Sequence, residues 1–145
     1  MTIPTIPPSS SSSSSEPLKQ ALASSDVILD AIFGFSFKPP IRAPFDAALP
    51  LISESKLPIV SVDIPSGWDV EDGNASAEGV GLNPDVLLSL TAPKEGVRLF
   101  EGRHFLGGRF VPKTLEEKFE LNLPTYPGSD QIVELGDSAG SAQKL

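Results

Sequence analysis

Two carboxylates and one hydroxyl stand at positions where an apolar sequence gives way to polar turns. Asp30 lies inside the apolar run "VILDAIFG", and Asp63 ends the run "IVSVD", three residues before Ser66. A carboxylate inside an apolar run is costly unless it is paired, hydrogen-bonded or bound to a cation. Oxygen ligands of this kind suit alkali and alkaline-earth cations, and a partly buried carboxylate can also carry protons. The residue types indicate a cation site, acid–base chemistry, or both.

Each of these residues also has a purely structural interpretation. Asp30 can cap nearby backbone N–H groups, and Asp63 can cap a turn or a helix that begins at Pro65. Ser66 is not predicted to be a nucleophile, because it has no G-x-S-x-G setting and no histidine near it in the sequence. Gly67 is predicted to allow a tight turn or the close approach of a ligand. The residues alone leave both interpretations of the two carboxylates open.

Other residues that can contact a ligand also have simpler roles. Phe35 and Phe37 lie in the Gly-led segment "GFSFKPP" and either stack on a ring ligand or anchor this loop. Trp68 is predicted to pack over the turn that follows Asp63. His104 is the single histidine and is predicted to lie at the surface or at a strand edge.

The elements that position these residues follow from the pattern of apolar runs. Predicted strands are 26–34, 59–64 and 85–93, with a weaker one within 104–112; predicted helices are 45–55, 94–100 and one that begins after Pro112. Continuous apolar runs of strand length are typical of parallel sheets covered on both faces. The pattern predicts an α/β fold in which the polar turns after the three main strands meet at one edge of the sheet.

Composition excludes several classes of function. The formal net charge of −8 and the lack of any Lys/Arg cluster argue against binding to nucleic acid or to an anionic membrane. The absence of cysteine excludes disulfides, thiolate nucleophiles and cysteine-bound zinc. We predict a soluble intracellular protein with a disordered Pro/Ser-rich segment at 1–17, one domain at 18–122, and a flexible tail at 123–145.

Three segments of the chain carry a specific resemblance. The segments "DVILDAIFGFSFKPPIRAPF", "IVSVDIPSGWDVEDG" and "LTAPKEGVRLFEGRHFLGGRFVP" resemble the NAD(P)H-hydrate epimerase family, with its YjeF N-terminal type of domain. The likeness runs from about 26 to 112, holds the motifs Asp-Ala-x-x-Gly and Val-Asp-x-Pro-Ser-Gly in order, and is strongest to fungal members. It implies a Rossmann-like, three-layer α/β/α fold with a mostly parallel sheet.

The resemblance also implies an activity and a set of site residues. Members of the family are isomerases that interconvert the R and S epimers of hydrated NADH and NADPH, which carry a hydroxyl at C6 of the nicotinamide ring. The family binds one K+ per subunit, for which Asp30 and Ser66 match ligands, and Asp63 matches the carboxylate expected to be catalytic. The residues expected to contact the substrate are Gly34, Phe35, Ser36, Phe37, Lys38, Pro39, Pro40 and Asp63.

The resemblance further implies partners and a location. A homodimer, a functional link to an NAD(P)H-hydrate dehydratase, and residence in the cytoplasm, the mitochondrion or both are expected. The family's first strands and helices, with an Asn-Asn-Gly-x-Asp-Gly loop that gives another K+ ligand, have no match before Leu18. We therefore expect an incomplete sheet and impaired activity.

The alternative function is a non-catalytic scaffold or dimerisation module of the kind found in mRNA decapping enhancers. Asp30, Asp63 and Ser66 argue against it, because a scaffold has no need of two carboxylates at strand ends.

Overall fold

The architecture is a mostly parallel sheet with helices in the connections. The computed structural model describes residues 5–6, 15–74 and 81–136. Their elements, in chain order, are α1 (Ser15–Ala23), β1 (Ile28–Asp30), α2 (Phe45–Glu54), β2 (Ile59–Val62), β3 (Val86–Leu90), β4 (Arg103–Gly107), α3 (Lys113–Phe119) and β5 (Ile132–Glu134). The strands are hydrogen-bonded in the order β1-β2-β3-β4-β5, parallel throughout except for β5, which is antiparallel to β4. This arrangement confirms the predicted α/β class.

Most predicted elements are present but shorter. The strand predicted at 26–34 ends at Asp30, since the backbone beyond it turns to donate hydrogen bonds to Ser66 and Asp63. The predicted helix at 94–100 is only a 3-10 turn, Glu95–Val97. Two elements extend into segments predicted to lack structure: α1 begins at Ser15, within 1–17, and β5 lies within 123–145. Within those two segments, residues 1–4, 7–14 and 137–145 lie outside the described residues.

The register of the strands divides the sheet into two faces. We call the first the helix face; its residues are Ile28, Asp30, Ile59, Ser61, Leu87, Ser89, His104 and Leu106. The alternating residues form what we call the open face: Leu29, Val60, Val62, Val86, Leu88, Leu90 and Phe105. Both clusters of buried apolar side chains take their strand residues from the helix face, where Leu49 and Ile52 of α2 pack on Ile59.

The open face is apolar and less covered than the helix face. Leu29 is 69% exposed on β1, and the other residues of the face are at best half-buried. Parallel sheets are normally covered by helices on both faces. In the described part of the chain, the open face therefore keeps exposed some apolar surface that a parallel sheet normally buries. Among the described residues, no helix is long and apolar enough to cross a membrane.

The prediction for His104 was wrong. The residue is half-buried on β4, which lies between two strands, and its Nε2 is 2.8 Å from the hydroxyl of the fully buried Ser89. Phe100 packs against the imidazole edge-on, with ring centroids 5.7 Å apart. Burial lowers the pKa of His104 below its ordinary value of 6.5, because the interior disfavours the charged imidazolium. The described structure joins His104 by no hydrogen bond to Asp63 or Ser66.

The buried imidazole predicts that stability depends on pH. The contribution is fully present above about pH 6.5 and is lost as pH falls below that value, since the unfolded chain takes up the proton before the folded chain does. Urea unfolding of the wild type and of His104→Gln, each at pH 7.5 and pH 5.5, measures this effect. We expect the fall in the unfolding midpoint between the two pH values to be smaller in His104→Gln. An equal fall in both proteins would contradict the assignment.

Candidate functional site

Asp30 is the centre of a buried hydrogen-bond network at the end of β1. The side chain is 2% exposed. Its Oδ2 accepts hydrogen bonds from the hydroxyl of Ser61, at 2.7 Å, and from the backbone N–H of Ser66, at 2.9 Å. Its Oδ1 accepts from the Ser66 hydroxyl, at 2.6 Å, and from the backbone N–H of Ile32, at 3.4 Å. These bonds join β1 to β2 and to the turn that follows β2.

The network gives Asp30 the capping role that the sequence left open. The Ser66 hydroxyl, which donates to Asp30, also accepts a bond from the backbone N–H of Phe33 at 3.1 Å. Every buried polar side-chain atom of the described residues has a hydrogen-bond partner. The carboxylate is thus stabilised in an apolar strand by hydroxyl and amide donors of this chain.

Asp63 lies just beyond β2 in a different environment. Its backbone has a left-handed conformation with φ of 72°, and its N–H donates to the carbonyl oxygen of Leu88 at 2.8 Å. Its Oδ2 accepts the backbone N–H of Phe35 at 2.8 Å. A non-glycine residue with positive φ costs about 1–3 kcal/mol, and such residues cluster at functional sites. The surrounding hydrogen bonds hold Asp63 in this unfavourable backbone conformation.

Gly34 makes that arrangement possible. A Cβ atom at Gly34 would lie 2.9 Å from Oδ2 of Asp63, closer than real Cβ contacts allow. The loop can therefore approach the carboxylate closely only with glycine at this position. Gly34 of the Asp-Ala-x-x-Gly motif and Asp63 of the Val-Asp-x-Pro-Ser-Gly motif meet at this point.

Lys94 is the residue of this site that sequence reasoning missed. Its ammonium forms a salt bridge with Oδ1 of Asp63 and donates to the carbonyl oxygen of Leu90 at 2.8 Å. Both charged side chains are only 16% exposed. The sequence places the turn "LTAPKEG", which follows the third main strand, at the same edge of the sheet, so the available signal is a basic residue in a turn that converges on a carboxylate.

The loop 34–40 gives its two aromatic residues different roles. Phe37 stacks on Phe33, with ring centroids 4.4 Å apart, and Phe33 packs edge-on against Phe45 of α2 at 5.2 Å. Phe37 therefore anchors the loop, whereas Phe35 is 66% exposed beside Asp63. The other exposed residues of this loop are Ser36, Lys38, Pro39 and Pro40.

The turn after Asp63 is tight and buried. Gly67 has φ of 93°, and a Cβ atom there would lie 2.7 Å from Cα of Gly81, so this position requires glycine. Trp68 is 7% exposed and donates from Nε1 to the carbonyl oxygen of Leu82 at 2.7 Å, which confirms its predicted packing role. The turn keeps Ser66 in contact with Asp30 and leaves Asp63 at the edge of the sheet, just beyond the end of β2.

The predicted residues are thus brought to one edge of the sheet. Asp30 and Ser66 are in direct contact, and the loop between 31 and 35 bridges them to Asp63 by the N–H groups of Phe33 and Phe35. The profile of the YjeF-related protein N-terminus matches residues 4–96. The chain belongs to this family.

Relatives of this YjeF-type chain are named for one activity. It is 58% identical to the NAD(P)H-hydrate epimerase of Cryptococcus neoformans, with 79% of this chain and 51% of the relative covered. It is also 58% identical to the enzyme of that name from Puccinia graminis, with 80% and 48% covered, and 53% identical to the one from Paramecium tetraurelia, with 81% and 49% covered. Relatives of this name are isomerases.

The fold also matches a solved structure of a yeast protein. The crystal structure of yeast ynu0 superposes with a TM-score of 0.74 at 41% sequence identity, over 81% of this chain and 51% of the yeast chain. This likeness confirms the Rossmann-like α/β fold. The chain spans about half the length of the curated relatives and of the solved structure that it matches.

Proposed function

We propose that this chain binds hydrated NADH or NADPH at the rim formed by Asp63, Lys94 and the loop 34–40, and interconverts the R and S epimers. The observation that carries the proposal is the carboxylate of Asp63, held at the carboxyl end of β2 by one backbone N–H and one ammonium. Ligands of open parallel sheets bind outside the carboxyl ends of the strands. The relatives named NAD(P)H-hydrate epimerase supply the substrate class.

The reaction needs a proton carrier rather than a redox group. Inversion at C6 breaks the C6–O bond with the electron pair leaving on oxygen, while the ring nitrogen shares its lone pair with C6. Water then adds to the opposite face and loses a proton, so that the starting atoms and electrons are restored. In this proposal, protonated Asp63 gives its proton to the departing oxygen, and the resulting carboxylate then takes a proton from the adding water, so that Asp63 returns to its starting form.

The loop supplies the contacts with the cofactor. The backbone N–H of Phe35 donates to Asp63, and the exposed side chain of Phe35 offers a surface for the nicotinamide ring. Lys38 is exposed on the same loop and offers a cation for the phosphate groups of the cofactor. Stacking of Phe37 on Phe33 keeps this loop against the sheet.

We also propose that K+ binds beside Asp30 and Ser66. Both residues offer only oxygen donors, as K+ prefers, and within the described ranges no cluster of three or more acidic, histidine or cysteine side chains competes as a metal site. Because the oxygens of Asp30 already accept bonds, an ion there would replace the bond from the Ser66 hydroxyl. Bound K+ would balance the buried charge of Asp30 and fix the turn before Gly67.

A comparison of salts tests the cation. We expect a higher thermal unfolding midpoint in KCl than in NaCl of equal concentration, because a ligand bound only by the folded state stabilises it by about 2.7 kcal/mol at a hundredfold excess over Kd. The difference between the two salts should vanish in Ser66→Ala, while Ser55→Ala, which lacks only a helix-end hydroxyl, should keep it. Equal midpoints in both salts for the wild type would exclude a K+ site in this chain.

The epimerase function is tested by exchange of a single purified epimer. Wild-type chain is added to the R epimer of hydrated NADPH, and chromatography follows the appearance of the S epimer against the spontaneous rate. An NAD(P)H-hydrate dehydratase, which consumes one epimer, provides a coupled readout. Exchange that scales with protein concentration supports the proposal. Exchange at the spontaneous rate would instead favour the scaffold alternative.

A further inference from the structure

We propose that Lys94 is a positioning residue for Asp63, which it holds at the rim in the orientation that proton transfer requires. The inference deepens the proposed function and rests on it. It starts from the salt bridge between the two side chains, which joins the turn after β3 to the turn after β2.

The geometry makes Lys94 a fixed bridge rather than a free surface cation. The residue is extended, with φ of −87° and ψ of 158°, and precedes the 3-10 turn Glu95–Val97. Its ammonium donates back to the carbonyl oxygen of Leu90, the last residue of β3, as well as to Asp63. Two of the three ammonium donors are therefore used by this chain, and the third is left for a ligand.

The two carboxylate oxygens of Asp63 are held by two different segments of the chain, one before Asp63 and one after it. Oδ1 is held by Lys94, and Oδ2 is held by the backbone N–H of Phe35. Without the ammonium, a single hydrogen bond would remain, and the carboxylate would be free to turn about its side-chain torsions. Charge-assisted hydrogen bonds at low exposure are stronger than neutral ones, so this loss is larger than that of an ordinary surface ion pair.

A nearby ion pair provides the matched comparison. Arg98 bridges Glu95 at 2.8 Å within the same turn, but the two side chains are 58% and 67% exposed. Exposed pairs of this kind contribute little to stability. Arg98→Met therefore removes one cation and one salt bridge from the same segment without touching Asp63.

Steady-state exchange kinetics give the first test. We expect Lys94→Met to lower kcat about 100-fold, as misplacement of a catalytic group does, with KM changed by less than about threefold. Lys94→Arg should recover at least about tenfold of that loss, because a guanidinium can also donate to Oδ1 of Asp63 and to the carbonyl oxygen of Leu90. Arg98→Met should match the wild type. Wild-type kcat in Lys94→Met would overturn the proposal, as would a loss in Lys94→Met that Lys94→Arg does not reduce.

Amide hydrogen exchange gives a second test that does not require activity. The N–H of Phe35 donates only to Asp63 in the described structure, so its exchange should accelerate about tenfold in Lys94→Met, while β2 amides keep their protection. Unchanged exchange at Phe35 would overturn the positioning role. If the wild-type chain shows no epimer exchange, the proposed function fails, and the Phe35 amide alone decides whether Lys94 positions Asp63.

Discussion

Asp63→Asn is expected to slow exchange between the R and S epimers by about 10²–10⁴-fold, the usual contribution of a general acid–base group. Asparagine has nearly the same shape as aspartate and tolerates the left-handed backbone with φ of 72°. Its side-chain carbonyl oxygen can still accept the N–H of Phe35. The variant therefore removes the proton carrier and the charge that pairs with Lys94, and leaves the turn in place.

The measurement compares exchange rates and urea unfolding midpoints for the same protein preparations. Asp69→Asn is the matched control: Oδ1 of Asp69 accepts the backbone N–H groups of Glu71 and Asp72 at 2.8 and 3.0 Å, which an amide oxygen can replace. This control should retain both activity and stability. Exchange at the wild-type rate in Asp63→Asn would remove Asp63 from its catalytic role.

The second large effect is on stability. Asp30→Ala leaves the buried hydroxyl of Ser61 and the buried N–H of Ser66 without their acceptor. Each such group costs about 1–3 kcal/mol, so we expect the free energy of unfolding to fall by about 3 kcal/mol or more. Trp68 is the single tryptophan and is buried beside the affected turn, so its fluorescence follows urea unfolding.

Two further variants control this measurement. Asp26→Ala changes an exposed carboxylate at the start of the same segment and should shift the midpoint little. Asp30→Asn retains one acceptor oxygen and should lie between the wild type and Asp30→Ala, which keeps the comparison informative if the alanine variant does not fold. A midpoint of Asp30→Ala within error of the wild type would show that the network around Asp30 does not stabilise the fold.

The need for a partner at Asp30 was predictable, but the partner was not. An aspartate inside the apolar run "VILDAIFG" must be paired or hydrogen-bonded once it is buried, whichever residues supply the partner. Ser61 and Ser66, which provide the donors, lie 31 and 36 residues further along the chain. Their contact depends on the pairing of Asp30 with Ser61 across β1 and β2, and that register follows from packing of the whole sheet.

Lys94 and β5 are two further features that could not be predicted from the sequence. A lysine in a polar turn is exposed in most proteins, so sequence favours the solvated interpretation. The contact of Lys94 with Asp63 needs β2 and β3 to end side by side. Strand β5 has three residues in a polar segment and forms because it pairs with the edge of β4. Both features come from tertiary contacts between distant segments.

The open face of the sheet can also be compared with the apolar pattern of its strands. The runs that form β2 and β3 are apolar on both sides, which is the pattern of parallel strands covered on both faces. In the described residues, the buried apolar clusters lie on the helix face alone, and the curated relatives are about twice as long as the part matched here.

A crystal structure of this chain with hydrated NADPH tests the central claim most directly. The account predicts a carboxylate oxygen of Asp63 within about 3 Å of the C6 hydroxyl, the distance that proton transfer requires, with the nicotinamide ring against Phe35. Hydrate bound elsewhere, or bound at this rim with its C6 hydroxyl directed away from Asp63, would contradict the account.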